Sequence, residues 1–401
     1  MMRTCTGVTG ASGTILICSM QSSTIYFDNA ATTAIDPEVL DAMLPYMKEH
    51  YGNPSSLHGA GRATRLAIET SRRAVANHFS VRPRSIYFTS GGTESNNTAI
   101  NAAVRDLHCR YIITSPIEHH AVLHCVERLA KQGLVQVRYV QLLPGGHINM
   151  EDLEGLLSSI PERCLVSLMH ANNEIGNITA IATVGELCKK YNALFHSDCV
   201  QTVGHYPIDL SATHVHFISA SAHKFHGPKG SGILYVKEGT AAQSLITGGA
   251  QERKMRAGTE NVYGIVAFAK ALDMAAAAYE KDSSRISFLK SYLMSRLVKE
   301  IPSISFNGDT GAGSLYTVLS ASFPRLADTE LLFTLDKMGI CASGGSACSS
   351  GSGGSHVIEA INSGSAEDKV TVRFSFSKHN TTDEADQVIN VLKEIMPLQP
   401  A

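Results

Sequence analysis

The sequence predicts an α/β fold in which a large domain, built on a mainly parallel sheet sandwiched by helices, is joined to a smaller α+β domain. The chain has 401 residues and 44% apolar content, enough for about two domains with substantial cores. Between residues 85 and 221, short β-branched and aromatic runs alternate with helix-like segments. From about Ala271 a long Ala-rich helical stretch leads into fewer and more separated strands, which indicates the second domain.

The predicted large domain is a series of βα units. Its strand segments are SIYFTS, RYIITS, CLVSLMH, ALFHSD and HVHFISAS, and its helical segments are TESNNTAINAAV, HHAVLHCVERLAKQG and IATVGELCKKY. Units of this kind form a parallel sheet, and ligands of such sheets bind at the carboxyl ends of the strands. We therefore look for the functional residues just after each strand.

The chain divides into a few predicted segments. We expect a disordered leader at 1–23, a large domain at 36–275, and a small domain made of 24–35 and 276–401. The leader contains one Arg and only a four-residue apolar core, which is too short for a secretory signal. Within the small domain we expect a mobile loop at 341–356, because it contains SGGSACSSGSGGS, in which eleven of thirteen residues are Gly or Ser.

Charge and cysteine content narrow the classes of function. The 34 basic and 36 acidic residues give a formal net charge of -2, which argues against nucleic-acid and membrane-surface partners. No apolar run reaches the roughly 18 residues that span a bilayer. The nine cysteines include no CxxC pair, so we expect neither a disulfide framework nor a zinc knuckle, and we predict a cytoplasmic protein.

Two histidine pairs have spacings that metals use. His214 and His216 alternate on a strand, and His120 and His124 lie one helical turn apart. Neither pair has a third ligand nearby in the sequence, and zinc sites need at least three protein ligands. We therefore predict no metal site.

The segment FTSGGTESNN, residues 88–97, predicts an anion site. A strand ends here, two glycines including Gly92 permit a tight turn, and Thr93 opens a helix, so that backbone N–H groups converge at the positive end of the helix dipole. A plain capped helix after a turn explains this stretch equally well when it is taken alone. The spacing matches neither GxxxxGK[ST] nor GxGxxG.

Two further segments give the anion site a chemical context. Asp198 in HSDCVQTVGH ends a strand, where a buried carboxylate needs a cationic partner, and Gln201 follows three residues later. Lys224 in SASAHKFHGPKG follows the next strand, and Ser221 and His223 just before it are possible phosphate ligands. An N-cap aspartate and a solvated lysine are the simpler interpretations of each segment. Together, however, a phosphate cradle, a carboxylate and an amine are what pyridoxal phosphate requires.

The sequence resembles the cysteine desulfurases, which belong to the class V (fold type I) pyridoxal phosphate enzymes, in the branch with the longer active-site cysteine loop. The match runs from about Ile25 to about Met396. The motifs that carry it are IYFDNAATT, GNPSSLH, FTSGGTESNN, EHHAVL, MHANNEIG, HSDCVQTVG, SAHKFHGPKG, MRAGTEN, GSACSSG and VRFSFS.

The resemblance implies a role for individual residues. Lys224 becomes the Schiff-base lysine, Asp198 the partner of the pyridinium nitrogen, and Gln201 a donor to the ring hydroxyl. His119 stacks on the ring and shuttles protons, and the phosphate is held by Gly92, Thr93, Ser221 and His223, with Thr259 reaching it from the other subunit of a homodimer. The resemblance also implies that Asn173 lies near the ring hydroxyl and the substrate. Arg373 binds the substrate carboxylate, and Cys348 is the sulfur acceptor.

The activity implied by the resemblance is removal of sulfur from L-cysteine. L-Alanine is released and Cys348 carries a persulfide to an acceptor, such as an iron–sulfur scaffold protein or a thiolation carrier. Three alternatives remain open: a selenocysteine lyase, a class V aminotransferase without thiol chemistry, and a non-catalytic two-domain interaction protein.

Overall fold

The computed structural model describes the backbone of residues 4–10 and 13–19, and residues 24–324, 330–345, 355–362 and 369–396 with their side chains. Cys348 and most of the predicted cysteine loop lie outside these residues.

The strands in the described parts of the chain are β1 Thr4–Gly10, β2 Gly13–Ser19, β3 Ile25–Tyr26, β4 Ile86–Thr89, β5 Tyr111–Thr114, β6 Gln136–Tyr139, β7 Leu142–Leu143, β8 His147–Ile148, β9 Cys164–Ser167, β10 Leu194–Asp198, β11 Phe217–Ser221, β12 Gly232–Val236, β13 Ser305–Asn307, β14 Val318–Pro324, β15 Ile340–Cys341 and β16 Lys369–Ser375. The α-helices are α1 Pro37–Lys48, α2 Gly59–His78, α3 Gly92–Arg105, α4 His120–Lys131, α5 Met150–Ser159, α6 Ile181–Lys190, α7 Val262–Glu300, α8 Leu331–Lys337, α9 His356–Ile361 and α10 Thr382–Ile395. Short 3₁₀ turns cover Pro83–Ser85, Ala222–Lys224 and Gln251–Lys254.

The large domain is built on a seven-stranded sheet with the order β4-β12-β11-β10-β9-β5-β6. Strand β12 runs antiparallel to its neighbours β11 and β4, and the other pairs in this sheet are parallel. Every residue of β9 to β12 is buried, because helices cover both faces of the sheet and the strands are apolar runs. This confirms the predicted mainly parallel sheet.

A smaller antiparallel sheet, with the order β13-β14-β16, forms the second part of the fold. Its core draws on Ile25 and Phe27 near the beginning of the described chain and on residues from Ile286 to Met396. The core around one face of the large sheet draws on residues from Val39 to Leu272. This distribution of buried residues supports the predicted domain boundaries, which remain a prediction.

Helix α7 connects the two parts. It begins at Val262, earlier than the predicted stretch from Ala271, because the side chain of Asn261 caps it by accepting a hydrogen bond from the amide of Gly264. Ile265 and Phe268 pack into the core of the large domain, and Leu293 packs into the core of the small domain. The helix is long and apolar enough to cross a membrane by length and composition alone, and 44% of its most apolar part is buried in the protein. Packing against two cores accounts for that composition.

The segment at 1–23, predicted to be a disordered leader, contains a β-hairpin. Strand β1 pairs antiparallel with β2, with Thr4 opposite Ser19 and Val8 opposite Ile15. The prediction is wrong for these residues. The physical reason is that both strands are rich in Thr, Val and Ile, which favour extended backbone.

A buried ion pair links helix α2 to the turn Gln251–Lys254. Arg72 donates two hydrogen bonds to the carboxylate of Glu252, with nitrogen–oxygen distances of 2.6 and 2.7 Å. Glu252 also accepts from the amide of Phe88 at 2.8 Å, and its own backbone is in the left-handed region at φ 43°. The pair therefore holds a strained turn in place, directly before the segment MRAGTEN.

We expect Arg72→Ala to lower the free energy of unfolding by about 3–5 kcal/mol, because Glu252 is then left buried without its cationic partner. Urea denaturation followed by circular dichroism measures the change. The control is Arg73→Ala on the same helix, an exposed neighbour, which should change the stability little. Equal stability losses in the two variants would contradict this account of the buried pair.

Candidate active site

The predicted functional residues converge on a cavity of about 210 Å³ at the carboxyl ends of β10 and β11 and the amino end of α3. The pairing of Asp198 with Ser219 aligns the ends of these two strands. The sequence-predicted residues that line the cavity are Gly92, Thr93, His119, Asn173, Asp198, Gln201, Ser221, His223, Lys224 and Arg373.

The amino end of α3 forms a cradle suited to a phosphate group. Gly91 is the N-cap at φ 152°, and no side chain caps the first amide N–H groups of the helix. A Cβ at Gly92 would lie 2.5 Å from Cγ2 of Val200, so only glycine fits there. A Cβ at Gly91 would lie 3.5 Å from the hydroxyl oxygen of Ser221. Uncapped amide groups beside a hydroxyl are the donors that an anion accepts from at a helix amino end.

His223 adds a neutral hydrogen-bonding group to this cradle. Its Nδ1 lies 3.2 Å from the hydroxyl oxygen of Thr32. Burial, with the nearby charges of Lys224 and Lys229, lowers the pKa of His223 to about 4. The ring is therefore uncharged at neutral pH.

Asp198 is buried at the end of β10 with a donor on each carboxylate oxygen. Oδ2 accepts from Nδ2 of Asn96 at 2.6 Å, and Oδ1 accepts from the amide of Val200 at 2.9 Å. These bonds orient the carboxylate, as a partner for a protonated ring nitrogen requires. The sequence analysis missed Asn96. Its position on α3, four residues after Gly92 and therefore on the same face, was the available signal.

The amide of Asn96 is itself held by a neutral histidine. Its Oδ1 lies 3.1 Å from Nε2 of His196, and the other ring nitrogen lies 2.8 Å from the hydroxyl oxygen of Ser167. Burial lowers the pKa of His196 to about 3. The network behind Asp198 is thus uncharged and fixed by strands β9 and β10.

Lys224 lies in the 3₁₀ turn after β11 and contacts the segment that follows β3. Its Nζ donates to the carbonyl oxygens of Ala30 at 2.6 Å and Ala31 at 2.8 Å. Nε2 of Gln201 donates to the same Ala30 oxygen at 3.1 Å. We call residues 28–36 the strap. The sequence motif IYFDNAATT, residues 25–33, contains the first six residues of the strap, but the contact of the strap with Lys224 was not predicted.

His119 caps helix α4. Its Nδ1 accepts from the amide of Ala121 at 3.0 Å, so the neutral ring carries its proton on Nε2. Desolvation is the largest influence on its pKa and lowers it; the charge of Asp198 opposes the shift and that of Lys224 adds to it. A neutral ring that lines the cavity can stack on an aromatic cofactor and exchange a proton.

Arg373 on β16 brings the small domain into the site. It is 1% exposed, and it donates to Oδ1 of Asp28 at 2.8 Å and to the carbonyl oxygen of Asn173 at 2.8 Å. Its Nε is buried and has no hydrogen-bond partner among the described residues. One donor of the guanidinium is thus available to an incoming carboxylate. Asp28 was not among the predicted residues.

Thr259 and Cys348 are the predicted residues that are not found at this cavity. Thr259 is exposed and does not line the cavity of its own chain. Cys348 lies outside the described residues, but both flanks of its segment are described. The hydroxyl of Ser355 donates to Oε2 of Glu174 at 2.5 Å, and a Cβ at Gly345 would lie 3.0 Å from the same oxygen. Glu174 directly follows Asn173, so both flanks lie beside the cavity.

The fold and the site together define a fold type I pyridoxal phosphate enzyme. The cradle, the oriented Asp198 and the strand-end Lys224 fit the phosphate, the ring nitrogen and the aldehyde of that cofactor.

Comparisons with known proteins agree. The family model for class-V aminotransferases matches residues 25–388, and the chain belongs to this family. It is 41% identical over 375 residues to the cysteine desulfurase IscS of Dictyoglomus turgidum, covering 93% of this chain and 94% of that protein. It is also 41% identical over 382 residues to IscS of Methanosarcina thermophila, covering 94% and 93%.

Solved structures show the same likeness. A NifS-like protein superposes with a TM-score of 0.87 at 37% identity, covering 94% of this chain and 100% of that one. A NifS-like protein from Rickettsia africae gives 0.84 at 31% identity, covering 93% and 99%. The protein is therefore an enzyme, and its cofactor is pyridoxal 5′-phosphate.

We expect Asn96→Ala to weaken cofactor binding and turnover roughly 10- to 100-fold, because Asp198 loses a charge-assisted hydrogen bond in a buried setting. Titration of the apoenzyme with pyridoxal phosphate, followed by absorbance, measures the affinity. The control is Asn101→Ala, which removes another buried asparagine from α3. A loss of similar size in the control would mean that Asn96 acts only through the stability of the helix.

Proposed function

We propose that this protein is a cysteine desulfurase that transfers the sulfur of L-cysteine to Cys348 and releases L-alanine. The observation that carries the proposal is the convergence of Lys224, Asp198 and Arg373 on one cavity. These residues supply an amine, a ring-nitrogen partner and a carboxylate receptor, which suits an amino-acid substrate. The similarity to proteins named cysteine desulfurase supports the choice among amino-acid reactions.

Bound pyridoxal phosphate supplies an electron sink when a proton leaves the substrate Cα. Side chains of the protein bind the substrate and move its protons. Arg373 binds the substrate carboxylate through N–H groups that these contacts do not use, while Asp28 and the Asn173 carbonyl hold the guanidinium in place. Asp198 would pair with the ring nitrogen, because two donors hold its carboxylate in a fixed orientation.

Proton movement falls to Lys224 and His119. The Lys224 amine would hold the cofactor aldehyde in the resting enzyme and, when free, would accept the Cα proton. The carbonyl groups of Ala30 and Ala31 set the position of this amine. His119 is neutral and carries a proton on Nε2, so it can donate that proton to the developing product.

Cys348 receives the sulfur. Its thiolate forms a bond to the substrate sulfur as the carbon–sulfur bond breaks, and the carbon fragment takes a proton and leaves as alanine. Cys348 lies three residues beyond Gly345, so covalent geometry keeps the two Cα atoms within about 11 Å of each other. Gly345 lies next to Glu174, beside the cavity, which supports the assignment of Cys348 as the sulfur acceptor.

The persulfide then passes to an acceptor. Two of the relatives bear the name IscS, and we propose an iron–sulfur scaffold protein or a thiolation carrier as the acceptor for this chain as well. A cytoplasmic location is part of the same proposal. Its support is that six cysteines in the described part of the chain are free thiols, as expected in a reducing compartment.

We further propose a homodimer in which Thr259 of the partner subunit completes the phosphate cradle. Exposed apolar side chains between residues 51 and 66 support it, since Tyr51 is 82% exposed, Leu57 83% and Leu66 63%. Large apolar side chains in one region of a surface are typical of an interface. The exposed position of Thr259 is also consistent with a role in the second subunit.

With L-cysteine and dithiothreitol, we expect the enzyme to form sulfide and alanine in equal amounts, and Cys348→Ser to reduce both by at least about 100-fold because the nucleophile is lost. The matched control is Cys341→Ser. Burial and nearby carboxylates raise the pKa of the Cys341 thiol, so it stays protonated and its removal should have little effect.

The same assay separates the alternatives. Undiminished product formation by Cys348→Ser would contradict the desulfurase assignment and would indicate an aminotransferase without thiol chemistry. Faster alanine release from selenocysteine than from cysteine, measured side by side, would instead indicate a selenocysteine lyase. Purified protein without Schiff-base absorbance after cofactor addition would indicate a non-catalytic protein.

The dimer proposal predicts complementation between two defective subunits. We expect Thr259→Ala to weaken cofactor affinity about tenfold through loss of one charge-assisted hydrogen bond. A hybrid of Lys224→Ala and Thr259→Ala subunits should regain one high-affinity, active site per dimer. The control hybrid, wild type with Lys224→Ala, should give the same half occupancy. No recovery in the first hybrid, or a monomeric mass by light scattering, would contradict the proposal.

A further inference from the structure

Three side chains that are far apart in the sequence meet where the strap, the large domain and the small domain come together. They are Asp36 at the end of the strap, His226 after the 3₁₀ turn that carries Lys224, and His379 before α10. One carboxylate oxygen and one ring nitrogen from each histidine all lie within 4.8 Å of one another. Nε2 of His379 is 3.6 Å from Oδ1 of Asp36, and the two imidazole rings are 5.2 Å apart between centroids.

We propose that Asp36, His226 and His379 form a binding site for a divalent first-row transition metal ion, with Zn²⁺ as the probe. Two imidazoles and one carboxylate, with a fourth position open to water, are a ligand set that such ions accept. Metal–ligand bonds of about 2.0–2.2 Å in a tetrahedral site separate the ligand atoms by about 3.3 Å. His379 has a side chain that is 58% exposed, so it can close the remaining distance.

Two of the three ligands are already held in place. Nδ1 of His226 lies 2.9 Å from the carbonyl oxygen of Ala34, and a histidine that donates one nitrogen to a carbonyl offers the other to a metal. The amide of His226 donates to the hydroxyl oxygen of Thr33 at 2.8 Å, and the amide of Asp36 donates to the carbonyl oxygen of His226 at 3.1 Å.

The backbone of His226 is itself unusual. It adopts φ 66°, in the left-handed region that residues other than glycine rarely occupy. Strain of this kind persists where the surroundings impose it, and it occurs most often at functional sites. The mechanism proposed above does not use His226, so its strained placement is otherwise unexplained.

Lys378 is a cation that already pairs with Asp36. Its Nζ lies 2.6 Å from Oδ2 of Asp36, whose side chain is only 6% exposed. The buried carboxylate is therefore neutralised by Lys378 when no metal is bound, and a metal ion would replace one cation by another. Removal of Lys378 should consequently favour the metal. If the pair of Lys378 and Asp36 has only a structural role, its removal gives no reason for tighter metal binding.

The proposed metal site lies next to the active site. Asp36, His226 and Lys378 line a second cavity of about 40 Å³, which Lys224 and Gln201 also line. A cation bound at this site would connect the strap to both domains close to Lys224. We expect it to stabilise the closed arrangement of these parts and to raise the thermal midpoint of unfolding.

The test uses tag-free holoenzyme dialysed against Zn²⁺, with bound metal measured by mass spectrometry and affinity by competition with a chromogenic chelator. We expect one equivalent per chain that His379→Ala weakens 10- to 100-fold, by the usual effect of losing one ligand. Lys378→Ala should bind roughly fivefold more tightly, as expected for release of a partly exposed ion pair. The matched control is His50→Ala, another exposed histidine, which should leave the affinity unchanged.

Binding to thiols is distinguished with Co²⁺. A site of two imidazoles and a carboxylate gives visible d–d bands without a thiolate-to-cobalt charge-transfer band, and Cys348→Ser should leave these bands intact. Equal metal binding by wild type and His379→Ala would overturn the proposal. So would a thiolate band, or weaker binding by Lys378→Ala than by wild type.

Discussion

The guanidinium of Arg373 is buried where the two domains and the strap meet, and its charge has to be balanced there. Asp28 of the strap supplies the balancing charge, and the Asn173 carbonyl of the large domain supplies a second acceptor. Separating such a buried pair costs several kcal/mol, on the order of 3–5. The pair therefore fixes the strap, and the strap in turn presents the carbonyl groups of Ala30 and Ala31 to Lys224.

This arrangement also balances the charges of the site before any ligand binds. Arg373 is paired with Asp28, and Asp198 faces the same cavity as Lys224, while His223 and His196 are kept neutral by burial. A phosphate group then has to be stabilised mainly by uncharged donors and the dipole of α3. Uncharged, fixed donors select for shape as well as for charge, which suits a cradle for one particular cofactor.

The sequence predicts the functional residues that directly follow the ends of strands. Gly92, Asp198 and Lys224 each follow the end of a predicted strand, and a parallel sheet brings such ends together. It could not predict that the Ala30 carbonyl contacts Lys224, because a backbone acceptor has no residue type to signal it. The antiparallel direction of β12 could not be predicted either, since a strand has the same apolar pattern in either direction. The proposed cation site could not be predicted either, because Asp36, His226 and His379 have no common spacing in the sequence.

The strap is shared by the substrate site and the proposed cation site. Asp28 at one end holds Arg373, Asp36 at the other end faces His226 and His379, and Ala30 between them borders both cavities. If the proposed cation binds, a ligand at either end would hold the strap in the position that the structure shows. Linkage is reciprocal for binding free energies, so a cation that orders Asp36 strengthens carboxylate binding at Arg373 by the same factor by which the carboxylate strengthens cation binding. The strap would thus couple two chemically different ligands without contact between them.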